Sequence, residues 1–203
     1  MKNNEKVGIF GGSFSPPHIG HIRAARAFVE SEQLDRLLVI PVFLPPHKSA
    51  DGVVSPEHRL NMCRLAFGDI EGADVEDCEI KRGGNSYTVD TLEYLTRHNR
   101  KLVMLCGTDM FLTLDKWYNF RRIFELTKIA FIRRENDPAC EALLREKTEE
   151  YCRLYSAEIS EVVATATEIS STDIRGAIKL GEAEGKFLTP EVNAYIKEHK
   201  LYI

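Results

Sequence analysis

Residues 7 to 21 read VGIFGGSFSPPHIGH, a short apolar run, two glycines, a hydroxyl, a pair of prolines and two histidines. Val7, Ile9 and Phe10 favour extended structure in a run too short for a helix, and Gly11-Gly12 ends it. Pro16-Pro17 supplies fixed φ values, and proline is favoured just inside a helix start. The stretch therefore predicts a buried first strand, a glycine loop, and a helix that begins near His18 and runs through IGHIRAARAFVESE.

That junction is suited to an anion. Glycines without a Cβ let a phosphate approach backbone N–H groups, and a helix N-terminus adds unsatisfied donors and the positive end of its dipole. Gly11, Gly12, Ser13 and Phe14 are the candidate cradle. His18 and His21 are three positions apart, so on a helix their imidazoles share a face and can point at one phosphoryl group. A GG turn or an HxGH in isolation is unspecific, but the ordered combination is not.

Working outward, Leu37 to Val42 is a continuous apolar run and predicts an inner parallel strand. FLPPHKS follows, with His47 and Lys48 at the tip of a proline-stiffened loop at the ligand-binding end of that strand. Ser55-Pro56 is an N-cap and N1 pair for a helix running to Phe67 and closed by Gly68. Val75 to Ile80, more polar, predicts an edge strand. SYTVDTL (86 to 92) opens a helix that turns Val89, Leu92 and Leu95 inward, with Tyr87 and Thr88 at its mouth.

Leu102 to Cys106 is a further strand and delivers Gly107-Thr108-Asp109 to its end. Asp109 there is either a helix cap or a carboxylate placed to accept from ribose hydroxyls. Trp117-Tyr118 follows, and as a bare pair it reads as core aromatics. Ile129 to Ile132 predicts a strand ending at Arg133-Arg134, and Asp137-Pro138 opens an exposed helix to Lys147. Ile159 to Val163 predicts the last strand, leading through ATATE to ISSTDIR (169 to 175) and a helix ending at Leu180. A final helix begins at Thr189-Pro190 and packs Val192, Tyr195 and Ile196.

Strand and helix alternate about five times with helical crossovers, which argues for an α/β doubly wound parallel sheet in a single domain spanning residues 1 to 203. The switch-point rule then lines GGSF, PPHK, GTD and RR along one rim. Ser170, Ser171 and Thr172 enter a helix and offer donors to a polyphosphate, and Arg175 adds a planar fork suited to phosphate oxygens. A formal charge of −4 gives no global reason to expect nucleic acid or an anionic membrane as partner. Five cysteines without a CxxC pair predict reduced thiols, with no protein-built metal cluster. The first residues carry no long apolar run, so a soluble, cytoplasmic protein is expected.

The stretch GGSFSPPHIGH resembles the GGxFDPxHxGH signature of the nucleotidyltransferase superfamily related to class I aminoacyl-tRNA synthetases, and ISSTDIR resembles its ISSTxIR motif. With PPHK, SYTVDTL, GTD and Trp117-Tyr118, the resemblance extends over nearly the whole chain to the bacterial nicotinate-nucleotide adenylyltransferases. It implies a Rossmann-like nucleotidyltransferase fold with a small C-terminal helical portion. It implies adenylyl transfer from ATP to nicotinate mononucleotide, with Mg²⁺ on the ATP phosphates. His18, His21 and Arg175 would act on the phosphates, and Gly107 and Asp109 would contact the ribose and adenine. Lys48, Thr88, Trp117, Tyr118 and Arg134 would serve the acceptor, with Trp117 stacked on the pyridine ring.

Ser15 stands where that family commonly has Asp, keeping a hydroxyl and losing a charge. Other readings are a related transferase acting on nicotinamide mononucleotide, phosphopantetheine or an alcohol phosphate, a truncated synthetase-like enzyme, and a nucleotide-binding regulator. The absence of KMSKS opposes the second, and the intact HxGH and ISSTDIR oppose the third. The sequence leaves a homo-oligomer open.

Overall fold

In the computed structural model, which describes residues 5–44, 52–97, 101–133, 138–164, 169–182 and 187–203, six parallel strands form one sheet in the order β3-β2-β1-β4-β5-β6. The strands are β1 (Lys6–Gly12), β2 (Arg36–Pro41), β3 (Ala73–Val75), β4 (Lys101–Gly107), β5 (Thr127–Ile132) and β6 (Ile159–Val162). The order reverses between β1 and β4, which pair directly from Lys6↔Lys101 to Phe10↔Leu105. This is the doubly wound arrangement, and its switch point lies where the glycine-rich end of β1 meets the end of β4.

The helices are α1 (Ile19–Glu32), α2 (Pro56–Phe67), α3 (Cys78–Arg82), α4 (Thr88–Thr96), α5 (Thr108–Leu112), α6 (Phe120–Leu126), α7 (Pro138–Tyr155), α8 (Ser171–Lys179) and α9 (Pro190–Glu198). Alternate residues of each inner strand serve opposite layers, as the strand period of two requires. Leu38, Ile40, Met104 and Phe131 join the core beneath α4 to α7, while Leu37, Val39, Leu105 and Ala130 join the core beneath α1, α2, α8 and α9. Gly8 permits the close seating of α1, since a Cβ there would stand 2.3 Å from the Leu34 side chain and 2.8 Å from Phe28.

Three boundaries differ from the sequence reading. Gly11 and Gly12 do not end the first strand but continue it, in register with Ile40 and Pro41. The edge strand is only Ala73–Val75, and Cys78–Arg82 is helical. Cys78 and Glu79 are adjacent and both buried, which one turn of helix accommodates and a one-sided edge strand does not. The helix opened by Pro138 runs on to Tyr155 and is not merely exposed: Leu144 and Tyr151, two turns apart, are buried. The caps at Ser55 and Thr189 hold as read, each side chain accepting a backbone N–H.

Candidate active site

The loop from Ser13 to His18 is held from every side. Phe14 adopts φ 46°, a left-handed backbone that non-glycine residues rarely take. Its buried ring meets Phe10, Phe67 and His21 at centroid distances of 5.3, 5.6 and 5.1 Å. The ring also lies across Gly12, where a Cβ would approach it to 2.9 Å. Ser15-Pro16 is a cis peptide. Arg59 of α2, 1 % exposed, donates to the carbonyls of Ser13 (3.0 Å), Phe43 (3.1 Å) and Val54 (3.2 Å). Burial lowers its pKa, and three carbonyls around a planar fork of donors offset that desolvation.

His18 is the N-cap of α1 and its backbone N–H donates to His21 Nδ1 at 3.2 Å. With Nδ1 an acceptor, the proton of a neutral His21 sits on Nε2, which leaves that N–H as a donor. The two rings lie against each other, 3.7 Å between centroids and 36° apart in plane. The histidine pair thus shares one face of the helix mouth, as the spacing predicts.

The C-terminal motif reaches the same loop. Ser170 caps α8 by accepting from Asp173 N–H at 3.1 Å, and the Asp173 carboxylate accepts from Ser170 N–H at 3.0 Å. Ser171 Oγ donates to the Pro16 carbonyl at 2.9 Å, and Arg175 Nη1 donates to the Ser15 carbonyl at 2.9 Å. Arg175 Nη2 also donates to Thr172 Oγ1 at 3.1 Å. Segments some 155 to 160 positions apart therefore meet on two consecutive carbonyls just before the histidines. The hydroxyls of Ser170 and Ser171 donate within the protein, to the Asp173 carboxylate and the Pro16 carbonyl, and Thr172 Oγ1 accepts from the half-buried Arg175. Phe187 O, accepting from Ile19 N–H at 2.9 Å, adds a contact from the C-terminal segment.

Beside this loop, between the ends of β1, β2 and β4, lies a cavity of about 520 Å³. Of the residues singled out in the sequence, Gly11, Gly12 and Ser13 line it from β1, Gly107 and Asp109 from β4, and Thr88, Trp117 and Tyr118 from the far wall. His18, His21, Arg175, Phe14 and Ser170 to Thr172 do not line it; they form the adjoining loop and helix end. Lys48 and Arg134, with the rest of PPHK, lie outside the described residues.

The turn just before Trp117 (Leu114–Lys116) is held by a support that sequence reasoning missed. Asp115 Oδ2 pairs with Lys147 Nζ of α7 at 3.1 Å, and Asp115 N–H donates to Tyr151 Oη at 3.3 Å. Tyr151 in turn donates to Phe111 O at 3.2 Å. Tyr118, 60 % exposed, rests its ring 4.6 Å from that of Tyr87 at the cavity mouth. Ser86 fixes the opposite lip, accepting from Phe43 N–H and donating its own N–H to Leu44 O, both at 2.9 Å.

Arg59, Asp115 and the cavity-lining Glu79 were not legible as site residues. Only Glu79 had a signal, an acid placed seven residues ahead of SYTVDTL.

Among the described residues no three His, Cys, Asp or Glu side chains gather as a metal site. A hard divalent ion bound here would be carried chiefly by oxygens of a bound polyphosphate. No helix among the described residues is long and apolar enough to cross a membrane.

Comparison with known proteins agrees with this layout. The cytidylyltransferase-like family model matches residues 9–177. A probable nicotinate-nucleotide adenylyltransferase of Gemmatimonas aurantiaca is 35 % identical over 200 residues, covering 97 % of this chain and 92 % of that one. One from Listeria innocua is 36 % identical over 199 residues, covering 97 % of each. Among solved structures, Plasmodium falciparum nicotinic acid mononucleotide adenylyltransferase complexed with NaAD superposes with a TM-score of 0.75 at 16 % identity, over 98 % of this chain and 97 % of that one. The fold likeness follows from that superposition, and the full-length identity from the bacterial relatives. With its HxGH and ISSTDIR segments joined around one loop, the chain belongs to the nicotinate-nucleotide adenylyltransferase family of cytidylyltransferase-like nucleotidyltransferases.

Proposed function

We infer that the protein transfers the adenylyl group of ATP to nicotinate mononucleotide, forming nicotinate adenine dinucleotide and releasing pyrophosphate in NAD biosynthesis. The observation that carries this reading is the convergence of Arg175 and Ser171 on the Ser15 and Pro16 carbonyls, beside a cavity walled by Trp117, Thr88 and Asp109.

The chemistry asks little of a protein base. The acceptor's own phosphate, with a second pKa of about 6, is largely dianionic near neutral pH and is the nucleophile. What the chain contributes is in-line placement and donors for charge on the transferring group and the departing pyrophosphate. His21 offers Nε2–H, His18 lies against it, and Arg175 and the N-terminus of α8 add positive potential. Gly11 and Gly12 let phosphates approach the backbone. A divalent cation, taken to be Mg²⁺, neutralises triphosphate charge when bound. Asp109 accepts from ribose hydroxyls, Trp117 stacks on the pyridine, and Thr88 and Tyr118 flank its acid group. Lys48 and Arg134 are further cations for the acceptor. The protein acts in the cytoplasm on small molecules, without nucleic acid or membrane.

The test is pyrophosphate release by purified protein with Mg-ATP and, separately, nicotinate or nicotinamide mononucleotide. Release with nicotinate mononucleotide in clear excess is expected. Turnover with neither acceptor removes the assignment, and equal turnover with both removes the preference.

A further inference from the structure

Away from the cavity and the histidine loop, a second pair of imidazoles meets among the described residues, across the seam where α2 packs against α9. His58, in the first turn of α2, faces His199, the C-cap of α9, with ring centroids 5.2 Å apart and planes 53° apart. His58 is half-buried and His199 exposed, so the seam is open to water and to ions. Tyr195 stands against both: its Oη lies 3.0 Å from His58 Nδ1, and its ring lies 4.2 Å from that of His199, one turn further along α9. Asn61, one turn along α2, donates Nδ2–H to the same Oη at 3.1 Å. Its Oδ1 accepts from Arg64 at 3.4 Å, which sets the way the amide points.

A hydroxyl oxygen has two lone pairs, and Asn61 engages one of them. The other can accept from His58 Nδ1–H, which leaves the Nε2 lone pair free. Ligating imidazoles are set in this way, one ring nitrogen tied to a fixed acceptor and the other presented to the ion. The spacing also suits a shared ion. A metal–nitrogen bond of about 2.0–2.1 Å puts an ion about 3.2 Å from the centre of an imidazole, and two such arms at a tetrahedral opening hold ring centres about 5 Å apart. At 5.2 Å the two helices already stand at the separation a bridging ion needs. The 3.7 Å between His18 and His21 is instead a ring-on-ring contact.

We propose that His58 and His199 form a site for one divalent transition-metal ion of the zinc or nickel class, with Tyr195 as the positioning residue that orients His58. Neutral imidazoles select such ions and not the hard, oxygen-seeking Mg²⁺. Two protein donors leave water on the remaining positions of the ion. Its effect is mechanical, because it clips α2 to α9. Arg59, next to His58, carries α2 onto the Ser13 carbonyl, and α9 leads to Tyr202 beside Ser15. The unfolded chain does not hold the two rings together, so the ion binds the folded state and stabilises it. The clip is independent of the transfer reaction.

The experiment titrates nickel into the purified chain, free of nucleotide, and follows the heat of binding and the thermal unfolding midpoint. The wild type takes up one ion at this site and its midpoint rises. His199→Ala, a change at an exposed helix end, unfolds close to the wild-type temperature without nickel, and loses both that ion and the rise. Tyr195→Phe keeps both ligands and removes only the orienting hydroxyl, so affinity falls about 10- to 100-fold, the usual cost of losing an outer partner of a ligand. His58→Gln, which retains a polar group near Tyr195 Oη, loses more affinity than Tyr195→Phe. Mg²⁺ in place of nickel gives no response that His199→Ala abolishes. Nickel uptake undiminished in both histidine variants would put the ion on the His18 and His21 rings or on a thiol, and overturns the proposal. A wild type that shows neither heat nor a shift in midpoint overturns it as well.

Discussion

Ser15 Oγ and Tyr202 Oη lie 3.0 Å apart, both buried, with 187 positions of chain between them. The Ser15 hydroxyl is thus partnered by Tyr202, and the C-terminal segment becomes part of the histidine loop's support. Burial pushes the Tyr202 phenol up to about 12, so it stays a neutral hydrogen-bonding group at working pH. Tyr202→Phe leaves the Ser15 hydroxyl buried and unpaired, at a cost of about 1–3 kcal/mol. Ser15→Ala with Tyr202→Phe removes both partners and should recover most of that loss. Urea denaturation of the two single variants and the double variant measures the coupling; additive effects would mean that the pair contributes nothing as a pair.

Arg59 joins the Ser13 loop, the end of β2 and the segment before α2 through one side chain. Arg59→Met fills similar space and leaves three carbonyls without a donor, a loss of about 3 kcal/mol or more by the usual size of hydrogen bonds to a charged group. Because one carbonyl belongs to Ser13, kcat should drop along with stability. A variant as stable as wild type in urea would show that water or neighbouring groups replace the guanidinium.

A third prediction concerns acid. Glu32, at the end of α1, is 4 % exposed and accepts from Lys6, Lys128 and Ser160. Burial works to raise its pKa, but hydrogen bonds from Lys128, Ser160 and Lys6 outweigh it and pull the carboxyl from 4.5 down to about 2. A depressed folded-state pKa means a contribution fully present above the unfolded value and lost as pH falls from about 4.5 toward 2. The shift corresponds to at most about 3 kcal/mol. Glu32→Gln should be less stable at neutral pH and should show a shallower loss of stability across that window. An unchanged slope would place the acid sensitivity elsewhere.

The sequence carried the local signals well. Proline at N1, Ser55 and Thr189 as caps, and the apolar runs of β1, β2, β4 and β5 are properties of neighbouring residues, so reading neighbours found them. Cys78–Arg82 was misread because five residues are too few to reveal a period, and because burial of Glu79 depends on Thr91 in another helix. Arg59 and Tyr202 were invisible for a related reason. Their partners are backbone carbonyls or a hydroxyl far along the chain, and no spacing rule connects 13 with 59 or 15 with 202. The joining of HxGH to ISSTDIR was anticipated only through the family resemblance. The contacts that achieve it, Ser171 to Pro16 and Arg175 to Ser15, are visible only in three dimensions.

The histidine pair supplies the most direct test of the reaction centre. His21 Nδ1 accepts from the His18 N–H at 3.2 Å, so in the neutral ring Nε2 carries the proton. His21→Ala removes that donor and also an acceptor for one of the first orphan amides of α1, and the latter loss should cost no more than a helix cap, about 1 kcal/mol. Loss of a donor aimed at transition-state charge is larger, about 10²- to 10³-fold in kcat. His21→Asn separates the two effects, because its side-chain oxygen can still accept from the His18 N–H while its reach toward a phosphoryl group is shorter. The expected result is near-normal stability with a kcat still close to that of the alanine variant. A His21→Asn enzyme restored to wild-type turnover would mean that the histidine serves the helix start and leaves the phosphate to Arg175.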